Sequence, residues 1–150
     1  MFHAGAMNMS HLNSIKDANG IDIGIVSPDG RDGMVQHAAQ FCEAGIPFIF
    51  DPGQGLPMFD GADLKLFIKQ AAYVTVNEYE WEILSERTGY TEADITAQVS
   101  ALIVTLGAQG SVIHTKDKLH QIPIVHSNDA FDPTGCGDAY RAGLLYGLQH

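Results

Sequence analysis

Basic residues are scarce in this chain. Eight Lys and Arg stand against 18 Asp and Glu, for a net charge of −10, and no Lys/Arg cluster occurs. Nucleic-acid binding needs a basic face to offset phosphate charge, so this composition argues against it. Cysteine is scarcer still. Cys42 and Cys136 are the two present, far apart and in no C-x-x-C pair. That leaves no disulfide framework and suits a reduced, cytoplasmic setting. Long apolar runs are absent, so no membrane span is expected. Met1 to Gly5 lack a basic region followed by an apolar core, so no signal peptide is expected. The seven histidines are scattered, and none has zinc-ligand spacing with a cysteine or another histidine. Internal repeats, low-complexity segments and linkers are also missing.

What remains is the composition of one globular domain. The 150 residues are 45% hydrophobic and mean hydropathy is −0.01. This length can bury a sizeable core.

Apolar runs alternate with helical patterns. Ile23–Val26, Pro47–Phe50, Tyr73–Val76 and Leu102–Leu106 read as buried strands. Between the first two, Met34, Ala38, Phe41 and Cys42 recur at helical spacing, and Gly45 stops that helix. Leu64, Phe67, Ile68 and Ala71 mark a helix entered at Asp60-Gly61, and another spans Tyr79 to Thr88. Thr91-Glu92-Ala93-Asp94 caps a further one. Ser111–Thr115 and Lys118–Ile124 suggest a β-hairpin turning at Lys116–Lys118. Apolar strands separated by helices predict an α/β fold, a three-layer parallel sheet with helices on both faces and right-handed crossovers. Ligands in such sheets bind at the carboxyl ends of the strands, where the motifs below lie.

The stretch from Phe131 to Gly143 carries the most chemistry. Gly135 and Gly137 flank the small Cys136, Asp138 follows, and a helical segment begins. The first amides of a helix lack internal partners and form an anion site, aided by the helix dipole. Backbone amides beside a carboxylate able to take a proton are the parts that phosphoryl transfer needs. The bland alternative is a capping aspartate after a tight glycine turn.

Asp132-Pro133-Thr134-Gly135-Cys136-Gly137-Asp138 resembles the C-terminal signature of the PfkB (ribokinase-like) carbohydrate and nucleoside kinases. The usual core is Gly-Ala-Gly-Asp, and here Cys136 replaces the alanine. The resemblance implies a ribokinase-like fold, with Asp138 as catalytic base toward an acceptor hydroxyl. It makes Gly135, Cys136 and Gly137 the anion hole. It implies ATP and Mg2+ as cofactors. In many relatives the region of Asp132 and Thr134 helps bind a monovalent cation, K+ here, against a reading as turn chemistry around Pro133. An acidic chain can still hold ATP, because magnesium and local amides neutralise the phosphates.

Two further segments follow the family's order. Asn77-Glu78-Tyr79-Glu80 resembles its Asn-x-x-Glu motif, with Asn77 near the triphosphate and Glu80 holding a magnesium-bound water. The bland reading of Asn77 is a helix cap. Thr105-Leu106-Gly107-Ala108-Gln109-Gly110 resembles the Thr-x-Gly-x-x-Gly segment along ATP, placing Thr105, Gly107 and Gly110 there. A plain strand-to-strand turn is its alternative. Asp51-Pro52-Gly53-Gln54-Gly55 is a loop near the expected cleft, with no role assigned. Trp81 and Tyr79 read as packing residues.

The resemblance covers nearly all of residues 1–150 and implies a central-to-C-terminal portion of a longer kinase. The acceptor-binding half and lid would lie outside it. The wording of the signature, with the Asp51–Pro57 loop, is most similar to the bacterial adenosine-kinase-like branch. That implies adenosine and ATP going to AMP and ADP, with ribose or fructose as other acceptors. The expected partners are a small nucleoside or sugar, with no nucleic acid or membrane, and a homodimer is admitted. Rivals of other classes are an inactive nucleotide-binding fragment and a hydrolase using Asp138. No serine elbow or histidine partner supports the hydrolase.

Overall fold

The computed structural model of the chain describes residues 5–125 and 134–150. Among these described residues, six strands form one sheet in the order β1 to β6. They are β1 (Gly24–Val26), β2 (Phe48–Phe50), β3 (Tyr73–Asn77), β4 (Ala101–Thr105), β5 (Ser111–His114) and β6 (Leu119–Ile122). Strands β1 to β4 are parallel, and β5 and β6 add antiparallel as the expected hairpin. Helices α1 (Arg31–Ala44), α2 (Gly61–Gln70), α3 (Glu78–Thr88), α4 (Glu92–Thr96) and α5 (Cys136–Gln149) make the rest of the frame.

The helices start and stop where local chemistry dictates. Asp60 caps α2 by accepting from the amides of Ala62 and Asp63. Thr91 and Asp94 form the predicted capping box on α4. Gly45 closes α1 in the left-handed region at φ 68°.

Strand parity sorts the core into two faces. Phe48 and Phe50, Val74 and Val76, and Leu102 and Val104 are buried with Met34, Ala38 and Phe41 of α1, Leu64, Phe67 and Ile68 of α2, and Leu84 of α3. Ile49 and Ile103, at the alternate positions, are also buried, so the centre of the sheet is covered on both faces. Cys42, expected on the inner face of α1, is exposed. Phe67 ties three elements together. It stacks on Phe50 at 4.5 Å and meets Phe59 edge-on at 5.0 Å.

Two segments depart from the sequence reading. The loop after β2 coils into a 3-10 helix at Gly53–Met58, and Arg87 of α3 holds it by donating to the carbonyls of Leu56 and Phe59. A second 3-10 helix, Gly5–Leu12, packs on α1. Among the described residues, no helix is long and apolar enough to cross a membrane.

Candidate functional site

The carboxyl edge of the parallel strands collects most of the predicted residues. Asn77 ends β3 and pairs in register with Thr105, which ends β4, and Thr105 in turn faces Ser111 at the start of β5. Thr105 Oγ1 lies 3.5 Å from the Val76 carbonyl. Gly107 and Gly110 bound the short 3-10 turn between β4 and β5. A cleft of about 390 Å³ opens beside that turn, lined by Leu106, Gln109, Ser111, Val112, Gln121 and Ile122.

Asn77 and Glu80 make a full capping box on α3. Thus the bland reading of Asn77 as a helix cap holds, and any nucleotide role is additional to it.

Helix α5 begins at Cys136. Its N-cap is Gly135, whose φ of 80° is open to glycine and costly for other residues. The first helical bond runs from the Ala139 amide to the Gly135 carbonyl. The amides of Cys136, Gly137 and Asp138 precede that ladder, and glycine has no side chain with which to cap them. Asp138 stands in this first turn with its side chain 81% exposed. Thr134 lies in the turn leading into α5. Asp132 falls outside the described residues.

The loop given no role in the sequence supplies the most buried charge of the site. Asp51, directly after β2, is 1% exposed. Its Oδ2 accepts from Ser27 Oγ at 3.1 Å and from Arg141 Nε at 2.8 Å. Burial pushes the Asp51 carboxyl up from 3.8 to about 6. The Arg141 guanidinium and the Ser27 hydroxyl pull it down, while the negative charges of Glu80 and Asp138 push it up. These charges therefore share one electrostatic neighbourhood. The signals that mark this pair in the sequence are an acidic residue at a strand's carboxyl end and an arginine one helical turn after Asp138.

A second cleft of about 520 Å³ lies at the end of β1, lined by residues that include Ser10, Asn13, Ser27 and Asp29. It is larger than the cleft near Gly107, and neither cleft is lined by the predicted residues themselves, although the smaller one adjoins Thr105, Gly107 and Gly110 through Leu106, Gln109 and Ser111. Ser27, which bonds Asp51, borders it. Among the described residues, no group of three or more His, Cys, Asp or Glu is arranged to hold a metal ion.

The sequence profile of the pfkB family of carbohydrate kinases matches residues 6–150. A nucleoside kinase of Methanocaldococcus jannaschii is 44% identical over 96 residues, covering 64% of this chain and 32% of that protein. A fructokinase of Escherichia coli is 33% identical over 124 residues, covering 76% of this chain and 38% of the other. Among solved structures, the nucleoside kinase of Burkholderia thailandensis in complex with inosine is 51% identical, with a TM-score of 0.95. That match covers 97% of this chain and 48% of the other. The chain thus spans about a third of the length of the first curated relative and about half of the first solved one.

Proposed function

Because this chain belongs to the pfkB family of carbohydrate kinases, we propose that it forms the nucleotide-binding and catalytic portion of an ATP-dependent kinase whose acceptor is a nucleoside hydroxyl. The acceptor-binding half and lid belong to the remainder of that kinase. One observation carries the reading. An exposed carboxylate, Asp138, stands in the same helical turn as the first amides of α5, which have no side-chain cap among the described residues, at the carboxyl edge of the sheet.

In this reading Asp138 accepts the proton of the acceptor hydroxyl as its oxygen attacks the γ-phosphate. A weak base suffices when proton transfer is late in a loose transition state. The amides at Gly135, Cys136 and Gly137 face the charge that spreads over the transferred phosphoryl oxygens. Asn77, Thr105, Gly107 and Gly110 border the nucleotide, and the adjoining cleft gives it room. Magnesium, when bound, neutralises phosphate charge. Glu80 fits a hold on it through water, since magnesium keeps several waters and no compact carboxylate cage is present among the described residues. A monovalent cation near Asp132 and Thr134 is part of the same reading, and activity in K+ against Na+ salts tests it. The scarcity of cysteine suits a cytoplasmic setting.

Adenosine is the acceptor the signature favours. The relatives support a nucleoside more broadly, and the solved relative with inosine makes inosine the first competitor. The similarity to a fructokinase keeps a sugar acceptor as the second reading. The test is ADP release by the full-length protein with Mg-ATP and adenosine, inosine, ribose or fructose. Adenosine-dependent release is expected. Release with inosine alone would change the base, and release with sugars alone would make it a sugar kinase. No release with any alcohol would leave a nucleotide-binding role.

A further inference from the structure

The guanidinium of Arg141 spans two carboxylates. Nε meets Asp51 Oδ2 at 2.8 Å, and the Nη2 atom donates to Asp138 Oδ1 at 2.6 Å. The two partners differ sharply in setting. Asp51 is 1% exposed and is held from a second side by Ser27, whereas Asp138 is 81% exposed. One end of the bridge is therefore fixed in the protein, and the other acts on a side chain that has little else to hold it.

The bridge also touches the amide turn. A Cβ added at Gly137 would stand 3.1 Å from Arg141 Nη1 and 3.3 Å from Nη2. The guanidinium therefore lies against the backbone of the central glycine.

Apolar packing of this part of the chain is partial among the described residues, with Leu144 and Leu145 half-buried. Helix α5 has no fully buried residue among those described. Its tie to the end of β2 is Arg141 to Asp51, and its tie to the start of β5 is Tyr140 to Ser111 at 2.9 Å. Near its C-terminus Gln149 reaches Asp22 at the longer distance of 3.4 Å. Arginine suits the first tie because its planar fork presents several donors at once in fixed geometry, which a lysine ammonium does not.

We propose that Arg141, anchored on the buried carboxylate of Asp51, is a positioning residue that holds Asp138 and the Gly135–Gly137 amides in register for phosphoryl transfer. This rests on the reading of Asp138 as the base.

The test compares full-length wild type, Arg141→Lys, Arg141→Gln, Asp51→Asn and the Asp51→Asn/Arg141→Gln double variant, with Mg-ATP and the best acceptor. Misplacement of reacting groups by about 1 Å can cost on the order of 100-fold, so each single variant is expected to lose at least about 10-fold in kcat. The nucleoside KM should stay within about twofold, because the bridge acts on positioning and not on uniform binding. Arg141→Lys should not rescue. The double variant should be no worse than the worse single, since both break one bridge. Amide hydrogen exchange gives a reading independent of activity. Exchange at residues 136–140 should quicken in Asp51→Asn, while β3 and β4 stay unchanged. Normal kcat in Arg141→Lys and Asp51→Asn, losses that multiply in the double variant, or unchanged exchange would each overturn the inference. A wild type inactive with every acceptor would instead overturn the kinase reading, and exchange would still decide whether Asp51 anchors the turn.

Discussion

Asn77 and Glu80 cap each other's backbone. The Glu80 amide donates to Asn77 Oδ1 at 2.8 Å, and the Asn77 amide donates to Glu80 Oε2 at 2.8 Å. The Asn-x-x-Glu spacing therefore has a structural role in starting α3, whatever it adds for the nucleotide. Asn77→Ala and Glu80→Ala should each cost about 1 kcal/mol in denaturant unfolding, with the pair less than additive. Asn77→Ser keeps a capping oxygen and should hold stability within about 0.5 kcal/mol. If the amide also serves ATP, the ATP KM of Asn77→Ser rises despite that retained stability. A KM unchanged from wild type would confine Asn77 to capping.

Asp51 imposes a pH dependence opposite to that of an ordinary ion-paired carboxylate. Folded, it holds its proton to about pH 6; its ordinary value is 3.8. Between these values the folded state binds more protons than the unfolded one, so this group's contribution falls as pH rises from about 4 to 6. At about 1.4 kcal/mol per pH unit the fall is about 3 kcal/mol. Arg141, Glu80, Asp138 and Ser27 are the groups that act on it. Other carboxylates superimpose their own trends, so the quantity to measure is wild-type stability minus that of Asp51→Asn. That difference should decline across pH 4 to 7. A constant or rising difference would show that Asp51 is ionised throughout in the fold.

The two glycines of the amide turn should fail in different ways. Gly135→Ala forces a side chain into φ 80° and should cost about 1–2 kcal/mol while disturbing the first turn of α5. Gly137 sits in ordinary helical backbone, and its constraint is the guanidinium beside it. Gly137→Val should therefore leave the unfolding midpoint nearly unchanged yet lower kcat/KM by about 10-fold or more through displaced amides. Gly137→Ala should do less, since the Arg141 side chain can shift by a few tenths of an ångström. Steady-state kinetics beside thermal melts separate the two patterns.

Phe67 joins α2 to β2 and to the segment that follows Asp51, through Phe50 and Phe59. Phe67→Ala should cost about 3–5 kcal/mol. Urea unfolding reads this directly. A loss below about 1 kcal/mol would mean the aromatic cluster collapses onto the vacancy without consequence.

Periodicity made most of the fold legible. The strands at Ile23, Pro47, Tyr73 and Leu102, the hairpin after Gly110 and the helix caps at Asp60 and Thr91 all lie within a residue or two of their expected places. These features are local. They depend on apolar runs, a capping oxygen or a glycine, each visible in a few neighbouring residues. The loop after Phe50 looked irregular because Pro52, Gly53 and Gly55 are turn formers. Its 3-10 coil depends on Arg87, which sits on a later helix. The role of Asp51 is illegible in the sequence for the same reason. Its burial and its bond to Arg141 join segments distant in sequence, and nothing local marks them. Asp138 stood out because its glycines are adjacent, whereas its guanidinium partner becomes meaningful only once α5 is laid beside β2.

The role of Asp138 is tested most directly by Asp138→Asn in the full-length protein, with turnover and Mg-ATP affinity measured on the same preparation. Removing a general base while leaving the amides in place should lower kcat by at least about 100-fold, with ATP binding within about threefold of wild type. Turnover within about threefold of wild type would contradict the role of Asp138 as base, and an equal loss of ATP binding would make it a binding residue instead.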